Sequence, residues 1–254
     1  MGASGLVGGA SRPWTLAVRD ALAGVRAGAL DGDTFLRSVM HHPGWLVAGR
    51  RLTDASGQPS GLELGVIRKE QGAILEAYAD EEALALLEEG RGAGEIDAAM
   101  LAAGYALGPF GLIDLVGADI NLAATESLAA AMQGHPRYHV FEALRRQVAS
   151  GDLGRKTGRG FLYPEKPDPA PDDAIALRIE ATLVNEAGWL LAEGGTTPDG
   201  IDTALRLGLN FPRGPFQILA ARGREQVLDR LDRLAAQAPV HLRGRYRPAP
   251  MLAR

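Results

Sequence analysis

The chain has 254 residues, of which 46% are hydrophobic and 23% are charged, the balance of a soluble globular protein with a sizeable core. A net charge of −4 gives no general attraction to nucleic acid or to an anionic membrane, and no apolar run reaches the roughly 18 residues of a membrane span. The absence of cysteine excludes disulfides and thiolate metal sites, and the opening residues lack a secretory signal, so a cytoplasmic location is predicted.

Residues 1–70 carry mixed signals. Residues 28–40 have a helical pattern, whereas residues 45–49 and 62–67 are short apolar runs typical of strands. The polar run between the two, residues 50–61, predicts a turn or loop because it contains glycine and proline. We therefore expect a small mixed or irregular segment over residues 1–70.

From Gln71 onward the chain is predicted to be mainly α. Apolar residues at helical spacing, with glycines as stops, predict helices over residues 73–89, 94–103, 109–116, 118–133, 138–150 and 174–193. A proline-rich linker is expected at residues 164–173. The linker divides a first helical unit, residues 71–163, from a second helical unit, residues 174–254.

An internal repeat supports this division. Residues 82–110 return as residues 186–216, and the matching anchors include Asp97 with Asp202 and the two Gly-Pro-Phe segments that start at Gly108 and Gly214. The second copy has one extra residue before Ile-Asp and one before Gly-Pro-Phe, both in predicted loops, where insertions are tolerated. The pattern indicates a duplicated helical unit of about a hundred residues.

Two glycine-rich stretches invite a nucleotide-binding interpretation. Residues 151–161, GDLGRKTGRGF, have Arg155 where the phosphate loop of triphosphatases requires Gly before Lys-Thr, and they follow a predicted helix instead of a strand. Gly2, Gly5 and Gly8 lack both the G-x-G spacing and the preceding strand of a dinucleotide motif. Neither stretch predicts nucleotide binding; residues 151–161 are expected to be a turn that ends a helix.

Three aspartates are candidate site residues. Asp97 and Asp202 fall near the starts of their predicted helices, where a carboxylate favours the positive end of the helix dipole. Asp114 lies within an apolar helix, as either a paired buried acid or a solvent-facing one. The histidines predict no metal site, because none of them combines helical i, i+4 spacing with further ligands. They are His41, His42, His135, His139 and His241.

Residues 105–128, YALGPFGLIDLVGADINLAATESL, together with GDLGRKTGRGFLY at 151–163, resemble the C-terminal helical domain of L-3-hydroxyacyl-CoA dehydrogenases, including 3-hydroxybutyryl-CoA dehydrogenases. Residues 183–216 with the terminal residues 245–254 resemble the second helical unit of tandem bacterial members. The resemblance implies two tandem helical domains similar to the C-terminal domain of 6-phosphogluconate dehydrogenase.

That family oxidises an L-3-hydroxyacyl-CoA to a 3-oxoacyl-CoA with NAD in fatty-acid metabolism, and its helical domains mediate dimerisation and wall the acyl-CoA cleft. The resemblance therefore implies acyl-CoA as a ligand and a homodimer as the assembly. Arg155, Lys156 and Arg159 concentrate positive charge in the turn. They are candidates to contact coenzyme A phosphates, with a solvated basic turn as the alternative.

The family's NAD site and its catalytic His–Glu pair belong to an N-terminal dinucleotide-binding domain. Some seventy residues before the first helical unit are too few for that domain, and the family's His-Phe-Phe-Asn-Pro-like segment is absent from the sequence. Ala73 and Leu177 stand where the family has its active-site Asn. We therefore predict no catalytic residue, no metal and no NAD site in this chain, and no turnover of acetoacetyl-CoA by this chain alone.

Two other interpretations stay open at this point. In the first interpretation, the chain is a non-catalytic helical module for dimerisation or docking, with acyl-CoA binding lost. Alternatively, residues 1–70 form a truncated dinucleotide-type scaffold, which requires residues 45–49 and 62–67 to pair as parallel strands.

Overall fold

The computed structural model describes residues 45–194 and 196–253. The fold is mainly helical and begins with a two-stranded sheet of β1 (Trp45–Thr53) and β2 (Pro59–Arg68). The helices that follow are α1 (Lys69–Glu88), α2 (Ala93–Ala102), α3 (Pro109–Val116), α4 (Ala118–Ala131), α5 (Glu142–Ala149), α6 (Asp173–Glu193), α7 (Pro198–Gly208), α8 (Pro215–Arg222) and α9 (Arg224–Gln237). Short 3₁₀ turns occupy Arg155–Thr157 and Val240–Tyr246.

Several predictions fall on residues outside this description. They are the helix over residues 28–40, the glycine pattern of Gly2, Gly5 and Gly8, and the pair His41 and His42. Within the described ranges, no helix combines the length and apolar character needed to cross a bilayer.

The two strands form an antiparallel hairpin, with Trp45 opposite Arg68 and Thr53 opposite Pro59. The predicted loop over residues 50–61 is therefore too long, because only residues 54–58 leave the strands. Asp54 closes this turn by accepting hydrogen bonds from the backbone N–H groups of Ser56 and Gln58 at 2.9 and 3.0 Å. The parallel pairing required by the dinucleotide-type hypothesis is contradicted for these strands.

The hairpin packs against α7, and one glycine makes the approach possible. A Cβ on Gly65 would lie 2.8 Å from the carbonyl oxygen of Gly200 and would overlap the backbone of Ala204. Glu63, also on β2, accepts a charged hydrogen bond from Arg206 of α7 at 2.9 Å. These contacts belong to one of two compact units, which comprises, of the described residues, 45–73 and 189–217.

The other compact unit comprises residues 74–188 and 218–253. Its core is built from fully buried apolar side chains of α1 to α6, each of which contributes about 1.5–3 kcal/mol by burial. They include Leu84, Ile96, Met100, Phe110, Ile113, Leu144 and Ile179. Residues 164–172 contain no helix or strand. The predicted domain boundaries near residues 71, 163 and 174 stay a prediction.

The helix predictions hold with two corrections of length. The helix predicted over residues 118–133 ends at Ala131, because Gln133 and Gly134 take positive φ values of 53° and 71°. The helix predicted over residues 138–150 begins only at Glu142, since Phe141 has the extended conformation of an N-cap. Val140, whose spacing from Leu144 and Val148 predicted the longer helix, lies in an irregular segment before it.

Candidate functional site

The two copies of the repeat share one polar contact, in which an aspartate holds the start of the next helix. The carboxylate of Asp97 accepts hydrogen bonds from the backbone N–H groups of Phe110 (2.9 Å) and Gly111 (2.8 Å). In the second copy, Asp202 accepts the equivalent bonds from Phe216 (2.9 Å) and Gln217 (3.0 Å). The glycine of each Gly-Pro-Phe segment is required because a Cβ at that position would overlap the aspartate carboxylate.

This geometry corrects the predicted role of the two aspartates. Asp97 and Asp202 each occupy the fifth position of their own helix, α2 and α7, and each faces the positive end of the following helix. Burial raises the pKa of Asp97 to about 6, although its two backbone hydrogen bonds oppose that shift. Burial also raises the pKa of Asp202 above its ordinary value.

Asp114 is a buried acid that anchors the glycine-rich turn. Its carboxylate accepts three backbone N–H hydrogen bonds, from Phe161 (2.8 Å), Leu162 (2.7 Å) and Tyr163 (2.8 Å). The open choice between a buried and an exposed Asp114 is thereby decided, since only 3% of the residue is exposed. The contact is confined to the first copy, because Ala220 occupies the matching position after the second Gly-Pro-Phe segment.

The glycines of this turn serve backbone geometry. Gly154 (φ 95°) and Gly158 (φ 80°) adopt conformations that other residues rarely take. A Cβ on Gly160 would lie 2.7 Å from Asp114 Oδ2. Residues 151–161 thus follow the end of α5 as the predicted turn, with a β-bridge between Gly154 and Arg159.

The three cations of the turn have different surroundings. Lys156 forms an ion pair with Asp119, and Arg159 donates from Nε and Nη2 to Oδ1 of Asp152 at 3.1 and 3.0 Å. Arg155 is exposed and makes no ion pair with any residue that the structure describes. Of the three predicted phosphate ligands, Arg155 therefore carries the uncompensated charge.

A cavity of about 340 Å³ lies beside these elements in the unit of residues 74–188 and 218–253. Asp97 and Asp114 line the cavity together with Arg155, Tyr163, Glu165 and Lys166. Its apolar lining consists of Leu101, Leu107, Leu115, Leu162, Pro164 and Pro167. A volume in the range of about 300–1,000 Å³ with a largely apolar lining and a few polar groups is typical of small-molecule sites.

Sequence reasoning identified Asp97, Asp114 and Arg155 individually but missed that they surround one cavity. It also missed Lys166, which lies in the predicted linker, is exposed, and has no ion pair within the described ranges. One signal was present in the sequence: the aspartate at position 114 and the glycine-rich turn both occur in the first copy and are both absent from the second.

A buried charge network in the same compact unit does not line the cavity. Arg245 is fully buried and forms ion pairs with Glu81 (2.6 Å) and Glu82 (3.1 Å). Glu82 also accepts hydrogen bonds from Arg178 at 2.7 Å and from the hydroxyl of Tyr246 at 3.2 Å. Burial raises the pKa of Glu81 to about 7, whereas the two guanidinium groups hold the pKa of Glu82 below its ordinary value despite its burial.

The described histidines lie apart from the cavity lining. His135 is exposed, and the rings of His139 and His241 lie 5.4 Å apart. Burial lowers the pKa of His139, and the charge of His241 adds to the effect. Residues 45–194 and 196–253 contain no group of three His, Asp or Glu side chains placed to hold a metal ion.

Comparison with known proteins matches both copies of the repeat to one family. The family model described as 3-hydroxyacyl-CoA dehydrogenase, C-terminal domain, matches residues 73–163 and again residues 175–254. The chain is 27% identical over 246 residues to the fatty acid oxidation complex subunit alpha of Idiomarina loihiensis, covering 85% of this chain and 34% of that protein. The chain thus spans about a third of the length of this curated relative.

Among solved structures, the chain resembles 3-hydroxybutyryl-CoA dehydrogenase from Escherichia coli K12 with a TM-score of 0.59 and 23% sequence identity. The match covers 71% of this chain and 57% of that one, and it establishes likeness of fold. The family resemblance predicted from the Gly-Pro-Phe segments and the glycine-rich turn is confirmed, and the double match of the family model agrees with the duplication.

Proposed function

Because this chain belongs to the 3-hydroxyacyl-CoA dehydrogenase family through its C-terminal helical domain, we propose that it supplies the acyl-CoA-binding and dimerising part of such an enzyme. The reaction of the complete enzyme would be the NAD-dependent oxidation of an L-3-hydroxyacyl-CoA to a 3-oxoacyl-CoA in fatty-acid metabolism. The proposal includes a cytoplasmic location for the protein.

The observation that carries the ligand part of the proposal is the cavity with Arg155 at its wall. A phosphate oxygen attracts an uncompensated guanidinium more strongly than one already paired with a carboxylate, since no existing ion pair must be broken. Arg155 is therefore the principal phosphate contact. Lys156 and Arg159 have an auxiliary role, because Asp119 and Asp152 already compensate their charges.

The described residues do not fit NAD. A dinucleotide site needs a strand that leads through a glycine turn into the N-terminus of a helix, so that backbone N–H groups face the pyrophosphate. Here β1 leads through residues 54–58 into the antiparallel strand β2. Leu177, which stands where the family has its active-site Asn, is a buried apolar residue of α6. We assign no redox step to the described residues.

Self-association is the other part of the proposal. Leu115 and Val116 at the end of α3, with Ile120 in the first turn of α4, are 46%, 43% and 53% exposed. Neighbouring exposed apolar side chains are typical of surfaces that another molecule covers. We assign this surface to a second copy of the chain, which matches the dimerising role implied by the family resemblance.

Isothermal titration calorimetry of the purified chain with acetoacetyl-CoA tests the proposal, with sedimentation velocity as the measure of assembly. Saturable heat and a rise in melting temperature are the expected results. No heat and no thermal shift would instead favour the docking module without ligand binding. Robust oxidation of NADH by the chain with acetoacetyl-CoA would contradict the prediction that this chain alone does not turn over that substrate.

A further inference from the structure

The internal repeat extends beyond the Gly-Pro-Phe segments. Helices α4 and α9, which occupy matching places after those segments, both have 14 residues. Each helix is followed by an Arg-Tyr pair and then, seven residues after the arginine, by a fully buried leucine. These residues are Arg137, Tyr138 and Leu144 in the first copy and Arg245, Tyr246 and Leu252 in the second. The segments 137–144 and 245–252 are therefore equivalent parts of the two copies.

The backbone of each segment is held by the first helix of its own copy. In the second copy, the side chain of Asn185 on α6 donates to the carbonyl oxygen of Arg247 at 3.0 Å and accepts from the backbone N–H of Ala249 at 2.7 Å. In the first copy, the backbone N–H of Ala143 donates to Glu88 on α1 at 2.7 Å.

The arginine and tyrosine side chains reach the other copy instead. The hydroxyl of Tyr138 donates a hydrogen bond to Oε1 of Glu186 on α6 at 3.0 Å, and Nε of Arg137 lies 3.7 Å from Oε2 of the same carboxylate. Glu186 is fully buried. A buried carboxylate without a cation is costly, so the first copy supplies the charge that compensates the second.

The reverse contact is made by the equivalent residues. The hydroxyl of Tyr246 donates to Oε1 of Glu82 on α1 at 3.2 Å, and Nε of Arg245 lies 3.1 Å from Oε2. Glu82 is also fully buried, and it is the residue of the first copy that matches Glu186 in the repeat. The same pair of contacts therefore occurs twice, once in each direction.

A contact between equivalent residues completes the pattern. Nη1 of Arg245 donates to the backbone carbonyl oxygen of Arg137 at 2.6 Å. In an isologous interface between identical subunits, every contact occurs in both directions, and equivalent residues meet near the two-fold axis. We propose that the two copies bind each other in this way as a dimer within one chain, and that each copy requires the Arg-Tyr pair of the other to complete its buried glutamate site. This pairing is independent of the proposed function, because it involves no ligand and no second chain.

The internal pairing leaves a different surface for a second chain. The exposed apolar residues at the end of α3 and the start of α4 occur in the first copy alone, because the matching residues of the second copy are small or polar. Leu115, Val116 and Ile120 correspond to Ala221, Arg222 and Gln226. Association between chains through this surface is therefore separable from the pairing of the two copies.

The test uses the full chain with a specific protease site inserted after Asp168, in the segment 164–172 that contains no helix or strand. Cleavage leaves two pieces with one copy each, and sedimentation velocity over a dilution series measures their dissociation constant. We expect the cut wild type to stay together. Tyr138→Phe combined with Tyr246→Phe should raise the dissociation constant at least about tenfold, because two hydrogen bonds to buried carboxylates are lost.

Two controls accompany this measurement. Tyr163→Phe removes a hydroxyl from a tyrosine outside the paired segments and should leave the dissociation constant of the pieces unchanged. The contact of the hairpin with α7 also joins the pieces, but it is the same in every variant. In the uncut chain, the double tyrosine variant should keep the wild-type association between chains. Ile120→Gln, which installs the residue of the second copy, should weaken that association and leave the affinity of the cut pieces unchanged.

Three results would overturn the proposal. Separation of the cut wild-type pieces would show that the copies do not bind each other. A dissociation constant within about twofold of wild type in the folded double tyrosine variant would show that the reciprocal contacts do not hold the copies together. Loss of association between chains in that variant would place the Arg-Tyr contacts between chains. Continued association of the cut pieces of a wild-type chain that is monomeric and binds no acyl-CoA would support the pairing, although the proposed function had failed.

Discussion

Replacement of Asp114 by Ala tests the assignment of this carboxylate as the anchor of residues 161–163. The substitution removes three backbone N–H acceptors at once. A hydrogen bond to a charged group contributes about 1.5–3 kcal/mol, which gives an upper range of about 4.5–9 kcal/mol for three. Because residues 161–163 are half-buried and water can satisfy part of the loss, we expect about 3–4 kcal/mol of destabilisation.

Asp114→Asn sharpens the measurement, because its amide oxygen can retain two of the three bonds. The expected loss is then about 1–2 kcal/mol, so the order of stability is wild type, Asn, Ala. Urea unfolding followed by far-UV circular dichroism measures the change, and protease cleavage within residues 155–167 should accelerate in the same order. The control is Asp119→Asn, which replaces the exposed partner of Lys156. This variant should unfold much as the wild type does. An Asp114→Ala variant within about 1 kcal/mol of wild type would refute the anchoring role.

Three further changes follow from buried groups and close contacts. Burial raises the pKa of Asp97 from 3.8 to about 6, so this group favours folding below about pH 4 and loses that contribution as the pH rises through 6. Relative to Asp97→Asn, the wild type should therefore lose about 2–3 kcal/mol between pH 4 and pH 6 in urea titrations, and a constant difference would contradict the buried-carboxyl explanation. Arg245→Met leaves the carboxylate of Glu81 uncompensated and should destabilise the chain by about 3–5 kcal/mol in the same assay, with partial recovery on adding Glu81→Gln. Gly65→Ala should lower the melting temperature and increase hydrogen exchange in the hairpin, because its Cβ collides with α7. Gly61→Ala is the control and should do neither, because its Cβ would lie 3.7 Å from Leu52 Cδ1. Equal effects of the two substitutions would show that the close approach of the hairpin to α7 is unimportant.

The amino-acid sequence by itself determined the helical class, the duplication and the family. Apolar periodicity with glycine stops predicts α2, α3 and α6 closely, since these signals act between residues a few positions apart. The repeat was visible because both copies need the same aspartate against the same Gly-Pro-Phe segment. Local signals were misleading where a long-range contact competes with them: residues 50–53 and 59–61 contain polar and turn-forming residues, yet they pair as strands across the hairpin.

Only the tertiary structure decided what the individual polar residues do. Asp97 looked like a residue at the start of its own helix, but folding places its carboxylate against the next helix, 13 positions along the chain. Arg155 and Arg159 are the same residue type in the same turn, and the position of Asp152 decides which of them keeps an uncompensated charge. Such pairings depend on distances between segments far apart in sequence. The cavity that joins Asp97, Asp114 and Arg155 therefore exists only once α2, α3 and the glycine-rich turn have packed together.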